Sequence, residues 1–144
     1  MIKLINKNKK LYNFISLKCL KILIKKYLFI KKKINLIFVN LLDIFIINKY
    51  YKYSNNPTNI LIFNNYHSLY NSSFKSSSDI YLCNIIIESE SIIFEKKLFY
   101  VYVYITIHWI LHCQNFKHKN IFLKKNIFNY LEFKFLNNVG FKKI

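Results

Sequence analysis

The chain has 144 residues, enough for one domain, and its formal net charge of +17 comes from 23 lysines, with no arginine, against six acidic residues. A hydrophobic content of 53% excludes a disordered polyelectrolyte, because such chains lack the apolar surface that offsets their conformational entropy. The single glycine, Gly140, excludes a glycine-rich phosphate loop and a G-x-S-x-G nucleophile turn. The charge predicts a polyanionic partner.

The first half of the chain predicts an arm, a strand, a helix and a second strand. Residues 1–16 carry scattered lysines and are interpreted as a basic N-terminal arm, and residues 17–24 predict a short strand. Apolar residues recur at helical spacing through 30–48, which predicts a mostly buried helix. A short strand is predicted at 60–63, and the serine-rich stretch 64–79 predicts a long loop or a partner-ordered arm.

The second half contains the strictest alternation in the chain, at residues 98–108. Aliphatic residues and Phe alternate there with Tyr, Thr and His, which predicts a strand. Helical spacing resumes over 118–131, and alternation at 133–135 predicts a last strand. The order of elements predicts an α+β, ferredoxin-like βαββαβ fold with a long loop between the second and third strands. We expect a single domain over 17–144 behind the arm.

The tyrosine-rich face of the predicted 98–108 strand is a candidate partner surface. It would display Tyr100, Tyr102, Tyr104 and His108, whose rings combine an apolar body with a polar tip. We interpret these residues as a protein interface. A solvated tyrosine face is an equally consistent alternative.

The sequence predicts neither an active site nor a metal centre. The six carboxylates form no motif. His108, His112 and Cys113 are candidate metal ligands, but residues four apart on a strand lie roughly 13 Å apart, too far to share one ion. We therefore expect no enzyme, no cofactor and no metal.

The lysines cluster in the first 33 residues and again near residue 120, with aromatic residues between them. A lysine is a compact point charge, which suits contacts to phosphates better than the reading of bases. This charge on a small domain favours RNA as the partner, with anionic lipid headgroups as the competitor. The predicted RNA-binding residues are Lys3, Lys7, Lys9, Lys10, Lys21, Lys25, Lys26, Lys31, Lys32, Lys33, Lys117, Lys119, Lys124 and Lys125.

Amino-acid usage also indicates the kind of gene and the compartment. Lys, Asn, Ile, Phe and Tyr dominate and can be encoded by A and T alone, whereas alanine and arginine are absent. This bias indicates an AT-rich gene, and we expect an organelle-encoded protein of the mitochondrial matrix. Three cysteines without a Cys-x-x-Cys spacing fit a reducing compartment.

Four short stretches resemble the small-subunit ribosomal protein ten family (bacterial S-ten type, also known as NusE). Residues 21–27, a basic and aliphatic run that ends in Tyr, are similar to the family's first strand, and Pro57-Thr58 stands near its proline turn. Residues 99–107 and 133–142 resemble the rhythm of its third strand and of its C-terminus. The family's basic hairpin loop has no match in residues 88–97.

The resemblance implies a place in the head of the small ribosomal subunit. Its partners would be ribosomal RNA and neighbouring ribosomal proteins, and the predicted function is that of a structural constituent of a mitochondrial ribosome. The alternative is a small accessory subunit of a mitochondrial inner-membrane complex, with residues 34–47 and 98–113 in lipid. Both segments are shorter than the roughly 20 apolar residues of a spanning helix.

Overall fold

The computed structural model describes residues 2–6, 21–22, 24–26, 33–67, 75–113, 134 and 137. The strands are β1 (Ile2–Asn6), β2 (Lys33–Val39), β3 (Ile60–His67) and β4 (Lys75–Cys83). The helices are α1 (Leu41–Lys52), α2 (Asn84–Ile93) and α3 (Leu98–Cys113). Residues 21–22 and 24–26 are also helical.

The four strands form one mixed sheet in the order β1-β2-β4-β3. β2 lies parallel to both β1 and β4, with Leu36 opposite Ile80. β3 runs antiparallel to β4, with Ile60 opposite Leu82. β2 and β4 are therefore the inner strands, and β3 is an edge strand.

The two faces of the sheet carry two separate apolar clusters. Alternate residues of a strand point to opposite faces. Leu36 and Phe38 belong to the larger cluster, which includes the buried side of α3, whereas Ile37 and Val39 join Ile44 of α1 in the smaller one. We call these the α3 face and the α1 face. The described part of the chain thus forms three layers, with α1 on one side of the sheet and α2 and α3 on the other.

Helix α1 begins and ends at recognisable caps. The Asn40 side-chain oxygen accepts a hydrogen bond from the backbone N–H of Asp43 at 2.8 Å, which satisfies a donor that the first turn leaves unpaired. Tyr53 ends the helix in the left-handed conformation, with φ of 54°. Lys49 and Lys52 lie in the last turn, where the negative end of the helix dipole stabilises positive charge.

A tight turn joins α2 to α3 and places the two helices side by side. Glu95 adopts a left-handed φ of 52° in this turn. The backbone N–H of Lys96 donates to the carbonyl of Ser91 at 2.9 Å, and that of Glu95 donates to Ile92 at 3.1 Å. The turn therefore fixes where α3 starts.

The strand predicted at 98–108 is wrong, because Leu98–Cys113 is the helix α3. Nearly every residue of the segment is apolar or aromatic, so period-2 alternation arises there without a strand. Tyr102 and Thr106, which alternation places on a polar face, are buried. A helix that is apolar almost all round lies inside a protein, as α3 does.

The helix predicted over 30–48 is also wrong in its first half. Lys33–Val39 forms β2, and the helix α1 begins only at Leu41. An inner strand with both faces covered has a continuous apolar run rather than an alternating one, and such a run imitates helical spacing. Continuous burial explains this error, just as it explains the error at α3.

Other sequence predictions divide between confirmed and corrected ones. The strand at 60–63 is confirmed within β3, but part of the loop predicted at 64–79 belongs to β3 and β4. The strand at 17–24 is wrong where the structure describes it, since Lys21, Ile22 and Ile24 are helical. Residue Lys134 is helical, not extended as predicted for 133–135.

The mixed α+β class is confirmed, whereas the ferredoxin-like order of elements is not. Ile2–Asn6, assigned to the arm from the sequence, forms β1 and pairs with β2. The division into an arm and a domain otherwise stays a prediction, and the predicted helix at 118–131 lies outside the described residues. In the described part of the chain, no helix is long and apolar enough to cross a membrane.

Candidate active site

One side of α3 carries a continuous row of aromatic rings with polar tips. Tyr100, Tyr104, His108 and His112 follow one another at intervals of four residues, which places them on one helix face. Successive ring centroids lie 6.3, 6.0 and 4.9 Å apart. Tyr104 is 40% exposed, and the other three are half-buried. We call these four residues the aromatic stripe.

The opposite side of α3 anchors the stripe to the core. Val103, Ile107 and Ile110 are fully buried in the larger apolar cluster. The Tyr102 hydroxyl donates a hydrogen bond of 2.7 Å to the side-chain oxygen of Asn84, the first residue of α2. Burial, with a smaller contribution from the charge of Glu88, raises the pKa of Tyr102, so the hydroxyl remains a donor. These contacts fix the rotation of α3 and hence the direction of the stripe.

His108 and His112 form the tightest ring pair of the stripe. Their centroids are 4.9 Å apart, and the ring of Trp109 lies 5.5 Å from the first and 5.0 Å from the second. The separation of about 13 Å that excluded a shared ion applied to a strand, and this segment is a helix. That geometric objection to a metal ion is therefore wrong.

The histidine pair fits a metal ion as part of a ligand set. Two histidines four apart on one helix are a common arrangement of zinc ligands, and imidazole nitrogen is a preferred donor. Cys113 does not join them as a third donor, because its side chain is buried in the apolar cluster. The described residues contain no group of three or more His, Cys, Asp or Glu that could hold a metal. His118 follows in the sequence but lies outside the described residues.

A cleft of about 310 Å³ opens beside the histidine end of α3. The edge strand β3 forms one wall, and the last residues of α3 form the other. Lys52 places a cationic side chain at the cleft. The lining residues are Lys52, Ile60, Leu61, Ile62, Asn64, Trp109, His112 and Cys113.

The structure brings together only some of the residues that the sequence predicted as a protein interface. Tyr100, Tyr104 and His108 share the stripe, as predicted for one surface. Tyr102 does not, because helical spacing turns it into the core. The signal that sequence reasoning missed is the spacing His108-x-x-x-His112, which indicates a ligand pair once the segment is taken as a helix.

The predicted RNA-binding lysines are placed by the structure only in part. Lys3 of β1, Lys25 and Lys26 of the N-terminal helical segment, and Lys33 of β2 are exposed, and Lys21 is half-buried. RNA binding by these residues stays a prediction. The others, Lys7, Lys9, Lys10, Lys31, Lys32, Lys117, Lys119, Lys124 and Lys125, lie outside the described residues.

Comparisons with known proteins agree on one family. The family model described as "Endoribonuclease YbeY" matches residues 3–140. The curated Endoribonuclease YbeY of Buchnera aphidicola subsp. Acyrthosiphon pisum (strain APS) is 36% identical over 123 residues, which is 83% of this chain and 78% of that protein. The corresponding protein of the Schizaphis graminum subspecies (strain Sg) is 34% identical over 83% of this chain and 77% of its own length.

A solved structure supports the fold independently of the sequence matches. The solution structure of a Thermotoga maritima protein superposes with a TM-score of 0.62, over 97% of this chain and 92% of that one. The two sequences are only 21% identical, so this likeness concerns the fold alone.

These matches overturn several predictions made from the sequence. The resemblance to the S-ten family is wrong, since it depended on an order of elements that included the misassigned 30–48 and 98–108 segments. The predicted roles of a ribosomal structural constituent and of an inner-membrane subunit are wrong as well, and so is the expectation that the chain is not an enzyme. The chain belongs to the YbeY endoribonuclease family.

Proposed function

We propose that this protein is an endoribonuclease whose reaction centre lies at His108 and His112, beside the cleft between α3 and β3. Family membership supports the proposed reaction, and the histidine pair on the aromatic stripe indicates where the reaction centre lies. These two imidazoles are half-buried on a helix that is otherwise embedded in the core. An active site needs side chains held in one geometry by the packing behind them, and the packing of α3 provides it.

Imidazole groups suit the cleavage of a phosphodiester in more than one way. An imidazole exchanges protons near neutral pH, and in its neutral form it binds divalent metals. A metal ion bound there would stabilise charge on a phosphate oxygen and lower the pKa of a bound water. The protein's own contribution is orientation, because Trp109 packs against both rings and Ile110 anchors the same helical turn.

RNA is the substrate class that the family's name implies, and the charge of the chain supports it. With a net charge of +17, the protein attracts a polyanion over long range, and exposed lysines such as Lys25, Lys26 and Lys33 can neutralise phosphates. Ribosomal RNA as the particular RNA remains a prediction. Ribosomal proteins were expected as partners only through the overturned S-ten resemblance.

The mitochondrial matrix remains the proposed location. Its support is the AT-rich codon usage that the amino-acid composition indicates. Imaging of a tagged protein against a matrix marker tests it. Matrix co-localisation is the expected result, and a signal elsewhere would contradict it.

A circular RNA tests the proposed activity, because it has no ends and only an endonuclease can open it. We expect the purified protein to convert the circle to a linear product that migrates differently in a denaturing gel. A Tyr50→Ala variant, altered at an exposed position of α1 that does not line the cleft, should cleave at the same rate. A circle that stays intact after incubation with folded protein and divalent metal would contradict the proposal.

Metal content tests the role of the histidine pair separately. We expect the wild-type protein to retain divalent metal after dialysis, measured by elemental analysis, and His108→Ala/His112→Ala to lose it. Treatment with EDTA should remove the metal and lower the cleavage rate together. Equal metal content in the two proteins would rule out these residues as ligands.

A further inference from the structure

The turn between α2 and α3 borders a second cavity, of about 440 Å³, at the tyrosine end of the aromatic stripe. It lies between one and two helical turns from His108, because Tyr104 and Tyr100 of its lining are roughly 6 and 12 Å from that residue along the helix axis. Its size is within the range of cavities that take small ligands. Eight residues line it, namely Asn59, Glu90, Phe94, Lys96, Tyr100, Val101, Tyr104 and Ile105.

We propose that this cavity holds one unpaired base of a single-stranded RNA, whose chain continues along the aromatic stripe to His108 and His112. The proposal rests on the proposed endoribonuclease function and adds to it a binding subsite.

The walls of the cavity have the chemistry of a base-stacking site. The rings of Tyr100 and Tyr104 are almost parallel, with an interplanar angle of 9°. Tyr104 is 40% exposed and Phe94 is 63% exposed, although both are large aromatic groups. Every base has a flat π face that stacks on such rings, so a cavity of this kind takes a base without needing its identity.

The polar groups of the cavity fit the remainder of a nucleotide. Lys96 places an ammonium group at the cavity, and a lysine binds a phosphate as a point charge. Asn59 donates to both carboxylate oxygens of Glu90, at 2.9 and 3.0 Å, which fixes that carboxylate at the wall. The carboxylate can accept a hydrogen bond from a base edge, whereas it repels a phosphate. The base is therefore oriented into the cavity and its phosphate toward Lys96.

The backbone around the cavity is held in place before any ligand arrives. The hydrogen bonds from Lys96 to Ser91 and from Glu95 to Ile92 define the turn that carries Phe94 and Lys96. The tyrosines sit on α3, which is anchored in the core. A preformed site loses little conformational entropy when a ligand binds.

The cavity can take only a base that is not stacked within a duplex. Bases inside a duplex are stacked and paired, so they enter a side cavity only after extrusion, which costs a few kcal/mol. Specific RNA recognition therefore targets unstacked bases on aromatic side chains. The row of rings from Tyr100 to His108 gives such a strand a path to the reaction centre.

Steady-state cleavage of a short single-stranded RNA that carries 2-aminopurine tests the proposal. We expect Tyr104→Ala to raise KM about tenfold, because loss of one base–aromatic stack weakens binding to that extent. The loss should appear in KM rather than in kcat, and it should abolish the quenching of 2-aminopurine fluorescence. Tyr104→Phe keeps the ring and should retain the wild-type KM.

Controls separate this subsite from the proposed function. Tyr50→Ala, which removes a tyrosine that is 71% exposed on α1, should leave KM unchanged. If wild-type protein cleaves RNA and Tyr104→Ala has a KM within twofold of wild type, the subsite is refuted and the function stands. If wild-type protein binds the RNA with Tyr104-dependent quenching but does not cleave it, the function fails and the subsite stands. Equal affinity for a blunt duplex would overturn the subsite, because paired bases enter the cavity only after extrusion.

Discussion

The helices that cover the two faces of the sheet are buried to different extents, and the difference indicates where the functional site can lie. On the α3 face, nine of the sixteen residues of α3 are buried, so the helix is held on most of its circumference. On the α1 face, only Ile44 and Asn48 of α1 are buried, and apolar side chains such as Leu42 remain exposed. The aromatic stripe is therefore carried by the more firmly held helix.

Firm packing of α3 matters for the site because the aromatic stripe lies on this helix. Its rings contact one another along the helix, but their direction depends on the rotation of α3. Ile107 and Ile110 lie on the buried side and fix that rotation. The comparison predicts that truncations on the buried side of α3 will affect stability and cleavage together, whereas truncations of the exposed apolar side chains of α1 will affect neither strongly.

The largest loss of stability is expected when a buried side chain on the α3 face is truncated. Ile107→Ala should lower the free energy of unfolding by about 3–4 kcal/mol, because it removes a fully buried side chain and leaves a cavity. Leu42→Ala, at a position 65% exposed on α1, should cost less than about 0.5 kcal/mol. Urea unfolding measures both. Equal losses would show that the exposed side of α1 is packed as firmly as the buried side of α3.

A smaller loss of stability is expected where a side-chain hydrogen bond joins α3 to α2. Tyr102→Phe removes the hydroxyl that donates to the buried Asn84 side chain, while it keeps the edge contact with Phe38. The unsatisfied Asn84 oxygen should cost about 1–2 kcal/mol of unfolding free energy. A change below a few tenths of a kcal/mol would show that the hydrogen bond does not hold the two helices together.

The same hydroxyl predicts a pH dependence of stability at alkaline pH. Burial raises the pKa of Tyr102 above its ordinary value of 10.0, so the folded state binds this proton more tightly than the unfolded state. The contribution of the protonated Tyr102 hydroxyl to the free energy of unfolding is fully present below pH 10 and is lost as the pH rises further. Urea unfolding at pH 9 and pH 11 should show a smaller alkaline loss in Tyr102→Phe than in wild type. Identical losses would contradict this assignment.

The smallest effect concerns the cap of the less buried helix. Asn40→Ala removes the side-chain acceptor of the Asp43 N–H and should cost about 1 kcal/mol. Asn55→Ala, in the exposed segment after α1, provides the matched control and should cost almost nothing. The cleavage rate should be unchanged in both, because neither residue supports α3. A loss of cleavage in folded Asn40→Ala would show that α1 also positions the site.

The sequence predicted best where an element is partly exposed and has clear limits. The strand at 60–63 follows Pro57 and a polar connector, and β3 begins at Ile60. It predicted worst where an element is buried on all sides. β2 and α3 both have apolar residues in nearly every position, so neither shows the period that its geometry would impose on a half-exposed element.

The candidate site was missed for the same reason. His108 and His112 were considered as ligands and rejected on the spacing of a strand, although the residue types and their interval of four were already visible. The lysine clusters, by contrast, indicated a polyanionic partner without any knowledge of the fold, since net charge acts over long range. Charge predicted the kind of partner, and only the helix revealed where the chemistry lies.

Cleavage of circular RNA by wild type, His108→Ala, His112→Ala and the double variant tests whether the reaction centre lies on α3. Each single variant should lower the cleavage rate by roughly 100-fold or more. The double variant should cleave no more slowly than the slower of the two single variants, because the effects of groups that act as a unit are not additive. Unfolding curves recorded without metal should match wild type, since both histidines lie on the half-buried stripe. Near-wild-type cleavage by the folded double variant would contradict the central claim that α3 carries the reaction centre.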